Sequence, residues 1–276
     1  MKYHCGVKCI LLICLCMVNF QSAAKEQAIR FGSVAMDVPS VMHRRLTPLT
    51  RYLSEKLQLP VNLKLAKDMR GAIQDLSSDR VDLAYLTPVA YIRSNTLGNT
   101  QLIAKMRSNK KASFKLMIVV KENSPIQTVD DLVGHSFAFG DRAALLQRAV
   151  VVGAGMPLEK LGSYQFLKHY DNIVRAVLLG DYDAGILKDS KAFKWQNKGI
   201  RIIYSSPDLP PYNIAASGKI SQQMLAKLKQ VFLQLDIENP QHREVIQALG
   251  KKYDGFVMAT DADYDIVRQL IKPFSD

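Results

Sequence analysis

Arg80-Val81-Asp82-Leu83-Ala84-Tyr85-Leu86-Thr87-Pro88 joins a strand directly to a helix. Val81 to Leu86 is a short apolar run of strand length, and it stops at Thr87-Pro88. Pro88 suits the first helical position, where a missing N–H costs nothing, and Thr87 suits the cap before it. Upstream the same rhythm is already running. Ile29 to Ala35 reads as a strand ending in small residues. Met42 to Leu57 reads as a helix, with Leu46, Leu49, Leu53 and Leu57 at three- and four-residue steps. Pro60 stops that helix, Val61 to Leu65 is a second strand, and Ala72 to Leu76 a second helix. Strand–helix–strand alternation implies an α/β fold with parallel pairing and right-handed crossovers.

Downstream the rhythm restarts after Lys115 to Val120, a continuous apolar strand placed at the crossing into a second lobe. Thr128 to Leu132 is a short helix, with Asp131 three residues after Thr128 as in a capping box. His135 to Phe139 is a strand and Arg142 to Ala154 a helix closed by Gly155. Tyr164 to Leu167, Asn172 to Leu179 and Asp183 to Leu187 repeat strand, helix, strand. Ile200 to Tyr204 reads as the return strand, followed by the loop Ser205 to Pro211. Helices over Ser221 to Leu235, His242 to Leu249 and Ala262 to Ile271 are expected to pack back on the first lobe. The resulting division is residues 25–115 and 208–276 in lobe 1 and 116–207 in lobe 2, hinged on two crossing strands.

The first 24 residues are set apart as an export signal. Lys2 and Lys8 precede an apolar run from Cys9 to Phe20, and Ser22-Ala23-Ala24 offers small residues for cleavage before Lys25. The run is about a dozen residues, short of the ~20 that a spanning helix needs. All four cysteines, Cys5, Cys9, Cys14 and Cys16, lie inside the 24-residue export segment. The mature chain therefore has no disulfide or thiolate chemistry, which suits an oxidising compartment. Ile13 and Leu15 are bulky where a lipoprotein signal needs a small residue, so no lipid anchor is expected.

The formal net charge is +12, two of which belong to Lys2 and Lys8. A basic excess points to nucleic acid, an acidic membrane surface or an anionic ligand. The longest basic run is only Asn109-Lys110-Lys111, with acids interleaved elsewhere, so nucleic acid is not expected. No histidine pair at metal spacing and no nucleophile elbow is present, and no enzyme, metal or cofactor is expected.

In parallel α/β lobes ligands gather at the carboxyl ends of strands, beside free helix-start N–H groups. The first strand leads to Met36 and Asp37. The third leads to Thr87, either a bare cap or a ligand contact, and one turn on to Tyr91, either a core side chain or a hydroxyl aimed at the cleft. The strand ending at Phe139 leads to Asp141, Arg142 and Ala143, where Arg142 either forks onto an anion or pairs with Asp141 on the surface. His169 and Tyr170 open the next helix, and Lys188 ends the following strand. At a helix start, Arg142 is expected to matter more to anion binding than Lys188.

Three stretches carry a resemblance. They are Arg80 to Pro88, Ser136 to Asp141, and His169-Tyr170-Asp171-Asn172 running on to Gly185. Through them the chain, from Ile29 to Ile271, resembles the phosphate/phosphite/phosphonate substrate-binding proteins of ABC importers, within the type 2 periplasmic binding proteins. The resemblance implies a two-lobed periplasmic monomer that captures a small oxyanion and meets an inner-membrane permease. Phosphonate binders of the family cradle the oxyanion with a Ser-Thr-Ser-type run. Here the corresponding segment is Arg142-Ala143-Ala144-Leu145, and the family's paired histidines become His169 and Tyr170. Each lost hydroxyl donor removes about 1–3 kcal/mol from a charged acceptor, so phosphonate and carboxylate ligands both stay open. A ligand-sensing or adaptor module for a membrane signalling protein is the alternative. Amino-terminal sequencing of protein exported to the periplasm is expected to begin at Lys25; a start before Cys16 would contradict the cleavage reading.

Overall fold

The structure is a computed structural model and describes residues 28–34 and 37–274; the export segment and Met36 lie outside them. Strand β1 (Ile29–Ser33) is followed by helix α1 (Pro39–Leu57), β2 (Val61–Leu65), α2 (Met69–Ser77), β3 (Leu83–Leu86), α3 (Pro88–Gly98) and β4 (Gln101–Ser108). The chain then crosses to β5 (Leu116–Lys121), β6 (Ser136–Phe139), α4 (Leu145–Gly153), β7 (Ser163–Phe166), α5 (Tyr170–Leu179), β8 (Ala184–Lys188), α6 (Asp189–Trp195) and β9 (Ile200–Ser205). It returns to β10 (Asn213–Ala216), α7 (Gln222–Leu233), α8 (Pro240–Leu249), β11 (Tyr253–Val257) and α9 (Asp265–Ile271). No helix among the described residues is long and apolar enough to cross a membrane.

Two mixed sheets result. One is ordered β11-β4-β10-β3-β1-β2 and the other β7-β6-β8-β5-β9. The parallel pairing read from the strand–helix rhythm holds for β1 with β2 and β3, and for β6 with β7 and β8. Side-chain alternation along β3 divides the core: Leu83 and Tyr85 face the layer holding Phe31 and Leu46, while Ala84 and Leu86 face the layer of α2 and α3. The α1 leucines at positions 46, 49, 53 and 57 are all buried, as their spacing demands.

Three strands were not legible. β4, β10 and β11 run antiparallel to one another in sequence of contact, with β10 wedged between β3 and β4. All four residues of β10 are buried, so no polar/apolar alternation marks it. In β11, Gly255 adopts φ +142° and the register shifts there, while Asp254 pairs with Arg107 of β4 at 2.8 Å.

The second helix start is also displaced. Instead of beginning at Arg142, α4 begins at Leu145. Asp141 holds the intervening turn, its carboxylate accepting from the Ala143 N–H at 2.7 Å and its carbonyl from the Ala144 N–H at 2.9 Å.

The chain crosses between sheets at residues 109–115 and 206–212. These crossings pair with each other: the Phe114 N–H donates to the Leu209 carbonyl at 2.9 Å and the Leu209 N–H to the Phe114 carbonyl at 2.8 Å. The carboxyl-terminal helix corrects the expectation that it packs on the first lobe alone. After β11 the chain forms a short 3-10 turn (Asp261–Tyr264), and α9 lies against both α3 and α4. Gly153 of α4 faces this helix, and a Cβ there would stand 2.5 Å from the Leu270 Cδ2.

Tyr91 of α3 anchors this strap. Its hydroxyl donates to the Asp261 carboxylate at 2.5 Å, its ring lies 4.8 Å from that of Tyr264, and Arg268 pairs with the same carboxylate. Burial pushes the Asp261 carboxyl up, but the Tyr91 hydroxyl and the Arg268 guanidinium outweigh it and hold the group below the ordinary aspartate value. A depressed carboxylate contributes stability that is full above the unfolded value, near 4, and lost as pH falls below it. Tyr91→Phe is therefore expected to lower stability by about 1 kcal/mol without altering ligand affinity. Asp261→Asn should flatten the loss of stability below about pH 4, read by thermal unfolding across pH.

Candidate ligand-binding cleft

A cavity of about 200 Å³ opens between the lobes beside the crossings. Its wall is mostly carbon: Met69 and Val89 from the first lobe, Phe114 from a crossing, and Leu116 and Leu146 from the second. The polar groups reaching it are Thr87, Gln147, Tyr170, Lys188 and Tyr212.

Each polar group has a local cause. Thr87 caps α3, its Oγ1 accepting from the Ala90 N–H at 3.2 Å, which leaves the hydroxyl proton to donate elsewhere. Gln147 is buried one turn into α4, and its Oε1 accepts from the Gly140 N–H at 2.7 Å. Its Nε2 faces the Tyr170 hydroxyl at 3.4 Å, so one amide ties the end of β6 to the start of α5. Burial pushes the Tyr170 hydroxyl up to about 12 and raises that of Tyr212 further. Both remain neutral donors at physiological pH.

Lys188 is the exceptional group. Its Nζ lies 4.7 Å from the Phe114 ring centroid, and no ion pair forms on it among the described residues. Burial lowers its pKa first; Asp189 opposes the shift and Lys252 adds to it. A half-buried cation without a counter-charge is costly unless something else supplies one.

Lys188 and Phe114 also border a second, more open compartment of about 470 Å³. Arg45, Lys111, Lys251 and Lys252 line it together with Lys188, and Asp189 is its acid. Arg45 pairs with Asp37 at 3.3 Å on the compartment's rim, and its charge reaches the buried hydroxyls of Tyr85, Tyr212 and Tyr253. A larger groove of about 590 Å³ lies at the amino ends of β1 and β3, but its charges are spent on one another. There Arg30 pairs with Asp82 at 2.7 Å and Lys219 with Asp79 at 3.0 Å.

Of the residues expected at the cleft, the structure brings Thr87, Ala143, Tyr170 and Lys188 to one cavity. Tyr91 is buried against Asp261 and Tyr264, away from it. Asp37 is on the rim, bound to Arg45. Asp141 is consumed by its own turn. Arg142 points aside, its guanidinium 4.8 Å from the Phe166 ring centroid, a stack worth about 0.5–1 kcal/mol. His169 precedes α5 as an exposed residue and makes no capping bond. Missed entirely were Met69, Phe114, Leu146, Gln147, Tyr212 and the outer cations. Gln147 carried a signal, as the polar residue preceding Arg148 in an otherwise apolar helix start; Phe114 and Tyr212 lie in crossings whose approach is set by the fold.

Four N–H groups at the start of α4 are already used. Those of Ala143 and Ala144 bind Asp141, that of Leu145 binds the Ala143 carbonyl at 2.9 Å, and that of Gln147 the Ala144 carbonyl at 3.1 Å. These four N–H groups are bonded within the turn, and the cationic groups cluster at the crossing.

Comparison with known proteins places the architecture. The family described as "ABC transporter, phosphonate, periplasmic substrate-binding protein" matches residues 31–264. Relatives include the phosphate-import protein PhnD of Mycolicibacterium smegmatis, 24% identical with 88% of this chain and 85% of the relative covered. The phosphonates-binding periplasmic protein of Escherichia coli is 21% identical, covering 89% and 76%. Among solved structures, PhnD1 of Prochlorococcus marinus in complex with methylphosphonate superposes with a TM-score of 0.70 at 18% identity, over 90% of this chain and 98% of that one. A Xanthomonas citri protein bound to ATP gives 0.73 at 17% identity, over 88% and 95%. At these identities the structural likeness is one of fold; the family match, spanning both sheets from β1 to the 3-10 turn before α9, makes this chain a member of the periplasmic phosphonate substrate-binding proteins of ABC transporters.

Proposed function

We propose that the mature chain is a periplasmic, monomeric solute-binding protein that captures a small phosphonate- or phosphate-like anion between its lobes and delivers it unchanged to an ABC permease. The observation that carries the reading is Lys188, a half-buried cation that faces the cavity with no carboxylate on it. An anion binding there removes the cost of the unpaired charge. Thr87 and Tyr212 come from the first lobe's side, and Lys188 and Tyr170 from the second, so a ligand touching both favours the closed arrangement over the open one. The paired crossings at Phe114 and Leu209 are where that closure bends. Among the described residues the groups around the cavity donate hydrogen bonds and charge, the chemistry of capture.

The occupied N–H groups at the start of α4 support one second reading, a ligand-reporting adaptor for a membrane signalling protein. Co-purification with a permease favours import, and with a kinase or cyclase favours the adaptor.

A thermal-shift screen over phosphate, phosphite, phosphonates and small carboxylates tests capture directly. A ligand at ~100 times its Kd is expected to add ~2.7 kcal/mol of stability. Silence across the panel would count against anion capture. The geometry also reverses the ranking expected from the sequence: Lys188→Met should weaken anion binding about tenfold or more, and Arg142→Ala less than about twofold. Titration calorimetry on both variants checks the order.

A further inference from the structure

Among the described residues four strands stand at sheet edges: β2 and β11 in the first sheet, β7 and β9 in the second. An edge strand presents unpaired N–H and C=O groups to any extended chain that approaches, and a charge or a proline within it discourages that pairing. Lys64 lies in β2, Asp254 in β11 and Arg201 in β9. Only β7, Ser163-Tyr164-Gln165-Phe166, carries neither charge nor proline, and its first three residues are exposed. The Leu167 N–H donates inward to the Phe139 carbonyl at 2.8 Å. Strand alternation then turns the N–H and C=O groups of Tyr164 and Phe166 outward, away from β6.

Charge stands beside this strand rather than in it. Tyr164 and Phe166 share one face, where their ring centroids lie 5.6 and 5.8 Å from that of Phe139. Over the Phe166 ring lie two guanidiniums, Arg142 at 4.8 Å and Arg148 at 5.5 Å from its centroid. The Arg148 Nη2 donates to the Arg142 carbonyl at 3.0 Å, and no carboxylate pairs with either side chain among the described residues. Burial lowers the Arg148 pKa; the Tyr164 phenol opposes that shift and Arg142 adds to it. From Met156 to His169 the chain adds Lys160 and Lys168 against one acid, Glu159.

Four occupants can be weighed against this edge. A free anion would answer the guanidiniums and leave the strand's backbone groups facing water. An uncharged strand would do the reverse. A second copy of this chain, pairing β7 with β7, would set one arginine pair against another. An extended acidic segment of another protein satisfies the backbone and the cations together.

We propose that β7 is a docking edge, where an extended acidic segment of a partner protein adds as a further strand and sets its carboxylates on Arg142 and Arg148. The site lies on the outer edge of the second sheet, apart from the cleft, and does not depend on anion capture.

The probe is a blocked peptide of alternating valine and glutamate, titrated onto the mature protein by fluorescence anisotropy, with a valine–lysine peptide as control. The acidic peptide is expected to bind at least about tenfold more tightly than the basic one, and to slow hydrogen exchange at the Tyr164 and Phe166 amides. Arg142→Glu, at an exposed position, should weaken the acidic peptide about tenfold and improve binding of the basic one. Tyr164→Pro removes one outward N–H, whereas Tyr164→Ala removes the ring and keeps that donor. The proline variant should therefore lose about fivefold more affinity than the alanine variant; thermal unfolding of both checks that they have folded. No binding up to a few millimolar, binding that leaves the two amides unprotected, or unchanged affinity in Arg142→Glu or in folded Tyr164→Pro overturns the docking edge. Self-association of the free protein that protects the same amides overturns the choice of partner.

Discussion

Everything in this molecule hangs on two crossings that hydrogen-bond to each other. Phe114 and Leu209 exchange both backbone bonds, so the passage out of the first sheet and the return to it form a minimal two-stranded ladder. That ladder sets the separation of the sheets and, with it, the width of the cleft. It also fixes Phe114 as a wall of both compartments and as the ring beneath Lys188. A strap from the carboxyl terminus reinforces the link, because α9 touches one helix of each lobe and Tyr91 pins its start through Asp261.

The electrostatics of the cleft follow from what the turn before α4 has already spent. Asp141 binds the amides that a helix start would otherwise offer to an anion. Positive charge is concentrated on the crossing side, where Lys188 is half-buried over Phe114 with no carboxylate bonded to it among the described residues, and Lys252 and the Asp37-paired Arg45 stand nearby. Charge left unpaired in a partly buried place is destabilising. The contrast with the groove at the amino ends of β1 and β3 makes the point. It is larger, yet Arg30, Asp82, Lys219 and Asp79 have paired off there.

Family membership and pocket chemistry rest on different sets of residues. The family match spans both sheets, and the second-lobe helix start carries Arg142-Ala143-Ala144, a segment without a hydroxyl. The frame is set by buried apolar area spread over dozens of residues, and the site by a handful of side chains, so the second can change without the first.

By itself the sequence determined the elements whose periodicity is one-sided: α1 with its leucine stripe, the strand-to-helix turn at Leu86-Thr87-Pro88, and the parallel trios β1-β2-β3 and β6-β7-β8. It also placed Thr87 and Lys188 at strand ends, where an α/β lobe exposes them to a cleft. Only the tertiary structure decided β10, which is buried on both faces and has no period to read, and β11, whose pairing with β4 depends on Asp254 meeting Arg107 across the fold. It likewise decided that Arg142 turns to Phe166, that Tyr91 answers Asp261, that Phe114 lies under Lys188, and that Tyr212 lines the same cavity. These are contacts between residues distant in the chain. Local spacing records which face of an element a residue occupies; what that face meets is settled only when the elements close upon one another.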